Sequence, residues 1–280
     1  MTSPHPLISR LADAAELTTS ACGDGRLVWR IWGAGPTLVL LHGDFGTWRH
    51  WARNIEALSR RFRVIAPDMP GYGESDLPEE ASEAGLARIL AAGLADVLPG
   101  RERYGLVGFS FGGIVAGHLV AIDATRVACL VLIGPGGLGF PLTKAFPRLQ
   151  RVEPEMPADE IAAVHRCNLA ALMFHDAAAA DDLAVHIQQA NIAQARMRAG
   201  DIPLTATLLE ALEGVRTPLH AVWGSHDLYA AHDLEERFVA LRRVRPDVDI
   251  HIVENAGHWA AYEAADEINE LLMEFMSREA

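Results

Sequence analysis

The sequence predicts an α/β fold with a mostly parallel, doubly wound sheet and a helical insertion. Short apolar runs typical of buried strands alternate with stretches of helical spacing through the first half of the chain and again near its end. Between these parts, residues 135–214 contain helical patterns and no strand-like run. The pattern therefore predicts a core domain over residues 1–134 and 215–280 and a helical insertion over residues 135–214.

Eight short runs of apolar or β-branched residues are predicted to be strands. The first two, residues 17–22 and 27–32, flank the turn signal Gly23-Asp24-Gly25 and indicate an antiparallel hairpin. The others cover residues 37–41, 64–66, 104–107, 127–133, 219–223 and 248–253. Continuous apolar runs are typical of strands covered on both faces, as in a parallel sheet.

Helical spacing links these strands. In the predicted core it covers residues 48–58, 86–98, 113–121, 234–242 and 264–276. In the insertion it covers residues 158–174 and 181–198. Strands that alternate with helices in this way predict crossover connections in a parallel sheet.

Composition argues against several classes of partner. The chain has 280 residues, half of them hydrophobic, and a formal net charge of -13, which disfavours nucleic acid and anionic membrane surfaces. Its three cysteines, Cys22, Cys129 and Cys167, are widely separated, so neither a disulfide framework nor a metal cluster is indicated. No apolar run is long enough to span a bilayer. We expect a cytoplasmic protein without a metal or a membrane partner.

The pentapeptide Gly108-Phe109-Ser110-Phe111-Gly112 joins the predicted strand 104–107 to the helix that follows it. A serine on a tight strand-to-helix turn is held in a strained conformation with its hydroxyl exposed, and flanking glycines allow other backbone to approach closely. The context predicts that Ser110 is a nucleophile. The N–H groups at the helix start can stabilise an oxyanion.

A serine hydroxyl needs a base and a group that orients this base. Asp227 follows the predicted strand 219–223 and His258 follows the next one, so all three side chains lie at the carboxyl ends of strands, where open α/β sheets build their sites. His226 is an alternative base. Three further carboxylates are alternatives for the acid: Asp233, Glu254 and Asp123.

One N–H of an oxyanion hole is expected from Phe111, and the other from the loop after residue 41. In that loop we favour the backbone of Asp44, with Phe45 as the alternative. A carboxylate on Asp44 would oppose an oxyanion if it pointed inward. We expect it instead to cap the helix that begins near Thr47, although a role toward an unusual substrate is the other interpretation.

These motifs resemble those of the α/β-hydrolase family over essentially the whole chain. The matching segments are His42-Gly43, Asp68-x-Pro-Gly-x-Gly-x-Ser75, Gly108-Phe-Ser-Phe-Gly112, Gly224-x-x-Asp227 and Gly257-His258. The resemblance implies a Ser-His-Asp triad, a helical cap over the site, no cofactor and a homodimer. A serine at position 110 argues against the haloalkane dehalogenase and epoxide hydrolase branches, which use an aspartate there.

Residues 257–263 and the cap are also similar to the meta-cleavage-product hydrolases, which cut a carbon-carbon bond in vinylogous diketones. That resemblance places Arg196 where a substrate-polarising arginine lies, and Trp259 directly after the histidine. The sequence departs from the group at Phe109, where those enzymes usually carry asparagine, and at Asp44. The residues expected to bind substrate are His42, Gly43, Phe45, Phe109, Arg196 and Trp259.

The predicted function is serine-dependent hydrolysis of a small apolar carbonyl compound. The substrate is either a carboxylic ester or lactone, or a vinylogous diketone from aromatic degradation. The alternative is a non-catalytic protein of the same fold that binds a small apolar ligand under the cap, because a complete triad does not guarantee turnover.

Overall fold

The computed structural model describes residues 5–98, 100, 102–142 and 146–278; the remaining residues of the two predicted domains lie outside the described part. Eight strands form one sheet in the order β1-β2-β4-β3-β5-β6-β7-β8. Their bounds are β1 Glu16–Cys22, β2 Gly25–Trp32, β3 Thr37–Leu41, β4 Arg63–Asp68, β5 Tyr104–Phe109, β6 Val127–Ile133, β7 Leu219–Gly224 and β8 Asp249–Val253. Every predicted strand overlaps one of these.

The pairing of β1 with β2 and of β2 with β4 is antiparallel, and all other neighbours are parallel. The chain order reverses where β3 lies between β4 and β5. Such a reversal separates the loops that leave the carboxyl ends of the two strands and opens a crevice between them. The sequence-based fold class, a mostly parallel doubly wound sheet, is confirmed.

Ten α-helices are present in the described residues. Their bounds are α1 Pro6–Asp13, α2 Ile55–Leu58, α3 Glu83–Val97, α4 Phe111–Asp123, α5 Ala158–Leu172, α6 Asp182–Gln194, α7 Thr207–Leu212, α8 Leu234–Val244, α9 Ala260–Glu263 and α10 Ala265–Arg278. Short 3₁₀ helices cover Trp48–Trp51, Ala177–Ala179 and Ile202–Leu204. None of the helices in the described residues is both long and apolar enough to cross a membrane.

Two predicted helices differ from the observed ones. The helix expected over residues 48–58 is split into the 3₁₀ helix Trp48–Trp51 and α2. The helix expected over residues 181–198 ends at Gln194. Beyond it the chain turns toward the sheet, because the N–H of Arg196 donates to the carbonyl of Gly71 in the loop after β4. A tertiary hydrogen bond thus ends α6 before the helical pattern does.

Apolar side chains cover both faces of the sheet. One cluster packs α3, α4 and α8 against side chains such as Val39 and Leu106, and the other packs α1, α2 and α10 against their neighbours Leu38 and Val107. Successive residues of a strand point to opposite faces, so a strand buried on both sides must be apolar throughout. This explains the continuous runs in the sequence.

Helices α5, α6 and α7 and two of the 3₁₀ helices lie between β6 and β7, and residues 135–142 and 146–214 contain no strand. Several contacts tie this region to the rest of the chain, and two of them show where it lies. Thr47 donates to Oδ1 of Asn191 on α6 at 2.7 Å, and α7 packs against α4. The helical region therefore rests on the loops that follow the carboxyl ends of β3 and β5.

Candidate active site

Ser110 lies between β5 and α4 with φ 53° and ψ -118°, a backbone conformation that residues other than glycine rarely adopt. The glycines around it make the turn possible. A Cβ on Gly108 would lie 2.4 Å from the carbonyl oxygen of Gly112, and one on Gly112 would lie 2.3 Å from that of His42. The strained serine is held by a bond from its N–H to the carbonyl of Ile133 at 2.9 Å.

His258 and Asp227 complete a chain of hydrogen-bonding groups from this serine. Nε2 of His258 lies 3.1 Å from Oγ of Ser110, and Nδ1 lies 2.9 Å from both carboxylate oxygens of Asp227. Asp227 is 1% exposed and His258 is 5% exposed. The three side chains predicted from the sequence thus lie together, although they come from the loops after β5, β7 and β8.

Local contacts fix the orientation of the imidazole. Oδ1 of Asp227 also accepts from the N–H of Tyr229 at 2.9 Å, which holds the carboxylate in its loop. The rings of Tyr229 and Phe109 lie 4.3 and 5.1 Å from the His258 ring. Because Nδ1 faces a buried carboxylate, the arrangement favours a proton on Nδ1 and leaves Nε2 as the acceptor for the serine proton.

The loop after β3 lies beside Ser110, where its backbone could meet an oxyanion. The N–H of Gly43 donates to Nδ1 of His50 at 3.3 Å, and the N–H of Phe45 donates to Oδ1 of Asp44 at 2.9 Å. Two of the three successive donors in this loop are therefore engaged. Phe111 is the first residue of α4, and N–H groups at a helix start lack an acceptor within the helix.

The Asp44 side chain does not cap the following helix, so that expectation is wrong. Thr47 accepts from the N–H of Arg49 at 3.3 Å, and Oδ1 of Asp68 accepts from the N–H of Trp48 at 3.1 Å. These two side chains supply the cap. The Asp44 carboxylate turns instead toward the loop after β4 and the chain after α6, where it finds other donors.

A cavity of about 620 Å³ opens between the sheet and the helical region. Ser110 and His258 line it, together with the backbone of Gly43 and the side chains of Phe45 and Phe109. Most of the other lining side chains are apolar and come from both regions: Phe140, Leu142, Leu149, Val152, Leu169, Leu172, Met173, Ile192, Leu204 and Trp223. Its size and lining suit a small apolar molecule.

Three residues expected at the substrate do not line this cavity. His42 is fully buried; its Nε2 accepts from the N–H of Met69 at 2.9 Å and its Nδ1 donates to the carbonyl of Gly43 at 2.8 Å. Burial lowers the pKa of His42 to about 4, so the ring is neutral. Trp259 is also buried and donates to the carbonyl of His50 at 3.0 Å. Both side chains hydrogen-bond to loop backbone inside the protein and stabilise these loops.

Arg196 is the third. Its side chain is 44% exposed and donates to the carbonyls of Ser75 and Gly73, with Asp76 at 3.8 Å. The guanidinium therefore lies on the outer side of the loop after β4 and does not face Ser110. The early end of α6 at Gln194 explains the error, because a helix continued to residue 198 would have given this side chain another direction.

Three of the cavity residues that sequence reasoning missed carry polar groups near the site. His50 is buried and lies 5.6 Å from the Phe109 ring; burial, the first cause, and His42 and His258 lower its pKa well below the usual value. Arg237 is the guanidinium among the described lining residues, and it pairs with Asp233 at 2.5 Å. Only Tyr229 carried a signal, its place two residues after Asp227.

The alternative bases and acids lie elsewhere. His226 is exposed and stacks on His175 at 3.6 Å. Asp233 is engaged by Arg237, Asp123 accepts from the hydroxyl of Tyr104 at 3.0 Å, and Glu254 is exposed. None of the four lines the cavity.

Comparison with known proteins agrees with the fold. The model of the Alpha/beta hydrolase family matches residues 38–271. A 2-hydroxy-6-oxononadienedioate/2-hydroxy-6-oxononatrienedioate hydrolase from Comamonas testosteroni is 30% identical over 263 residues, which cover 88% of this chain and 89% of that protein. A 2-hydroxy-6-oxo-6-phenylhexa-2,4-dienoate hydrolase from Burkholderia cepacia is 29% identical over 259 residues with the same coverage.

Solved structures with the same fold include a meta-cleavage product hydrolase from Pseudomonas fluorescens IP01, with a TM-score of 0.73, 22% identity and coverage of 94% of this chain and 98% of that one. The naproxen esterase of Bacillus subtilis superposes with a TM-score of 0.75 at 21% identity, covering 96% and 95%. At these identities the two structures support the fold alone. With the family model matching most of its length, this chain belongs to the α/β-hydrolase family and is a hydrolase.

Proposed function

We propose that this protein hydrolyses a small, largely apolar carboxylic ester or lactone, with Ser110 as nucleophile. The observation that carries the proposal is the 3.1 Å contact between Oγ of Ser110 and Nε2 of His258 in the wall of a mostly apolar cavity. This distance is within reach for proton transfer, and the cavity gives an apolar substrate access to the activated oxygen.

In the proposed reaction, Nε2 of His258 takes the proton of Ser110 while Oγ attacks the substrate carbonyl. Asp227 stabilises the imidazolium that forms. The proton then passes from Nε2 to the leaving alcohol, and an acyl group remains on Ser110. A water molecule, deprotonated by the same nitrogen, attacks this acyl group and releases the acid, which restores the serine hydroxyl.

The oxyanion of each tetrahedral intermediate is proposed to bind the N–H groups of Phe111 and Asp44. Elimination supports Asp44, because the N–H of Gly43 donates to His50 and that of Phe45 donates to the Asp44 carboxylate. The amino end of α4 adds its dipole on the Phe111 side. One such donor contributes roughly 3 to 4 kcal/mol to transition-state stabilisation.

The lining of the cavity supports an ester rather than an anionic substrate. Phe109 and Phe45 give the site beside the serine an apolar surface. The cation expected there, Arg196, lies outside. Arg237 lines the cavity, but Asp233 already balances its charge at 2.5 Å. A substrate carboxylate would therefore lose its hydration on entering the cavity and would find no unpaired cation there to compensate.

Carbon-carbon bond hydrolysis is a second candidate, and the names of the curated relatives favour it. In that reaction the same base and nucleophile would act after the dienol is ketonised, so that cleavage expels a stabilised carbanion. Polar groups of the cavity wall, His50 and Gln188, would then have to contact the dienol oxygens. Sequence similarity supports this candidate, and the apolar wall around Ser110 supports the ester.

We further propose that residues 135–214 act as a cap that closes the cavity over the substrate. The side chains of α5 and of the chain after α6 that line the cavity support this role. From the composition and the family we propose that the protein needs no cofactor and acts in the cytoplasm. Its partner is proposed to be a small molecule rather than a nucleic acid or a membrane. The homodimer implied by the family resemblance stays a prediction, which light scattering of the purified protein can test.

The test is a steady-state assay of the protein and its Ser110→Ala variant with p-nitrophenyl butyrate and with 2-hydroxy-6-oxohexa-2,4-dienoate. We expect fast ester turnover that Ser110→Ala abolishes, with little loss of the dienoate absorbance. Serine-dependent loss of that absorbance, with slow ester turnover, would instead establish carbon-carbon hydrolysis.

A fluorophosphonate probe separates either enzyme from a ligand-binding protein of the same fold. Labelling of the natural chain that disappears in Ser110→Ala shows an activated serine. Absence of labelling together with absence of turnover on both substrates would favour the non-catalytic alternative.

A further inference from the structure

We propose that His220, Asp249 and His251 form a zinc-binding site at the end of the sheet opposite the candidate active site. His220 is the second residue of β7, and Asp249 and His251 are the first and third residues of β8. In the parallel register His220 pairs with Asp249 and Val222 pairs with His251. Because side chains alternate along a strand, all three point to the same face.

The distances between the polar atoms fit one metal ion. Oδ2 of Asp249 lies 3.4 Å from Nδ1 of His220 and 3.0 Å from Nε2 of His251, and all three atoms lie within 4.8 Å of one another. Zinc binds nitrogen and carboxylate oxygen at about 2.0 to 2.2 Å, which in a tetrahedron separates the ligand atoms by roughly 3.3 Å. The two measured contacts lie on either side of this value.

Helix α10 fixes the two imidazole rings. The ring of Phe275 stacks on His220 at 3.9 Å with an angle of 10° between the planes, and it lies 4.8 Å from the ring of His251. The side chain of His220 is 7% exposed and that of His251 is 26% exposed. Rings held by packing lose little entropy when they bind a metal, so the site is preorganised.

Asp249 gives the ion a route from solvent, because its side chain is 45% exposed. Three protein ligands with one open side leave the fourth tetrahedral position to water. Two imidazoles and one carboxylate suit zinc better than the oxygen-preferring calcium and magnesium ions. No other group of three such side chains converges in this way within the described residues.

Arg278 competes with the ion for the same oxygen. Its Nη1 lies 3.4 Å from Oδ2 of Asp249, while its Nη2 donates to Glu274 on the same helix. The side chain is 49% exposed, so it can leave Asp249 and keep the bond to Glu274. Removing this guanidinium should therefore strengthen metal binding, whereas removing an imidazole should weaken it.

A bound ion would connect β8, at the edge of the sheet, to β7. The site lies at the amino ends of these strands, and Asp227 and His258 follow their carboxyl ends. Metal binding is thus expected to raise thermal stability by mass action and to leave the hydrolytic reaction unchanged.

The experiment is isothermal titration of the chelator-treated full chain with zinc chloride near pH 7.5. Every protein in the series carries Cys167→Ser, because the exposed thiol of Cys167 could bind zinc itself. We expect one ion per chain with a micromolar Kd, and a rise in Tm at saturating zinc. His251→Gln and His220→Gln should each weaken binding roughly ten-fold or more, and Arg278→Gln should strengthen it.

His232→Gln is the matched control. His232 lies 3.3 Å from Asp233 and is 39% exposed, but within the described residues no third metal-ligating side chain converges on this pair. The control should bind zinc like the parent. Binding that neither His251→Gln nor His220→Gln weakens, or no binding by a chain whose melting curve shows it to be folded, would overturn the proposal. In the latter case the three side chains form only an ion-pair cluster with Arg278.

Discussion

The hydroxyl of Tyr72 donates to Oδ1 of Asp44 at 2.6 Å, which joins the loop after β4 to the loop beside Ser110. Oδ2 of Asp44 accepts from the N–H of Ala199, beyond α6, at 3.3 Å. Burial, the first cause, and the Asp44 carboxylate raise the pKa of Tyr72, so the phenol keeps its proton. One carboxylate thus links the proposed oxyanion loop to the cap.

Asp44→Asn should therefore reduce activity through loop position. An amide keeps one acceptor for Tyr72 and Phe45 but presents N–H to the N–H of Ala199. Loss of this bond and the resulting shift of the loop should raise the activation free energy by about 1 to 2 kcal/mol, which lowers kcat/KM roughly ten-fold. The Tyr72→Phe variant, which leaves the carboxylate in place, should show a smaller loss of the same kind. Unchanged kcat/KM in both variants would remove this role from Asp44.

Asp227→Asn should leave the protein folded and reduce kcat on the order of 10⁴-fold, as in serine enzymes with the same arrangement. An amide at this place can donate to Nδ1 of His258, which moves the ring proton to Nε2 and removes the acceptor for Ser110. A large loss of turnover with unchanged Tm is the expected pair of results. Asp233→Asn is the control, because Asp233 pairs with Arg237 rather than with His258; a comparable loss there would contradict the assignment.

Gly112→Ala should prevent the turn around Ser110. The new Cβ would lie 2.3 Å from the carbonyl oxygen of His42 and 2.5 Å from that of Leu41, and neither backbone atom can move away cheaply. We expect a loss of roughly 3 kcal/mol or more in the free energy of unfolding.

Gly214→Ala is the comparison for this glycine. Gly214 has φ +75°, and no described atom lies within 4 Å of the position that a Cβ would take there, so only backbone strain of about 1 kcal/mol is expected. Chemical denaturation measures both variants. Equal losses would show that the close approach at Gly112 does not limit stability.

The buried neutral His42 should make stability depend on pH. Its pKa in the folded protein is about 4, below the 6.5 of an unperturbed histidine, because of burial. Between these values the unfolded chain binds a proton that the folded chain does not. This proton uptake does not affect the free energy of unfolding above about pH 6.5. As pH falls from 6.5 toward 4, it lowers the free energy of unfolding by at most roughly 3 kcal/mol.

Denaturation of the natural chain and of His42→Gln between pH 4 and 7 measures this contribution. The variant should be less stable at pH 7 and should lose less stability on acidification. His50 is also buried with a lowered pKa, and because His42 contributes to that shift, the His50 titration differs between the two proteins. Denaturation of His50→Gln over the same pH range measures the share of His50. Parallel pH curves for the two proteins would exclude His42 as the source.

Arg196→Ala should leave kcat/KM within about two-fold, because the guanidinium bonds Ser75 and Gly73 outside the cavity. The lost hydrogen bonds should lower the free energy of unfolding by about 1 kcal/mol. Activity and melting are measured on the same preparation. A large rise in KM or fall in kcat with either test substrate would show that Arg196 acts at the substrate site.

The sequence alone determined the sheet and the chemical groups at its carboxyl edge. Strands buried on both faces must be apolar throughout, and the turn at Ser110 needs glycine where a Cβ would lie 2.4 Å or less from a carbonyl oxygen, so both leave a local pattern. The proximity of Ser110, Asp227 and His258 is then expected, since parallel strands end at one edge.

Only the tertiary structure decided the direction of Arg196, the partners of Asp44 and the place of His50 in the cavity. Each depends on contacts between segments far apart in the chain: Arg196 with Gly71, Asp44 with Ala199, and His50 with Phe109. A local pattern fixes which face of a strand or helix is apolar. The direction of a polar side chain beyond a helix end depends on which donors and acceptors the fold brings within about 3 Å.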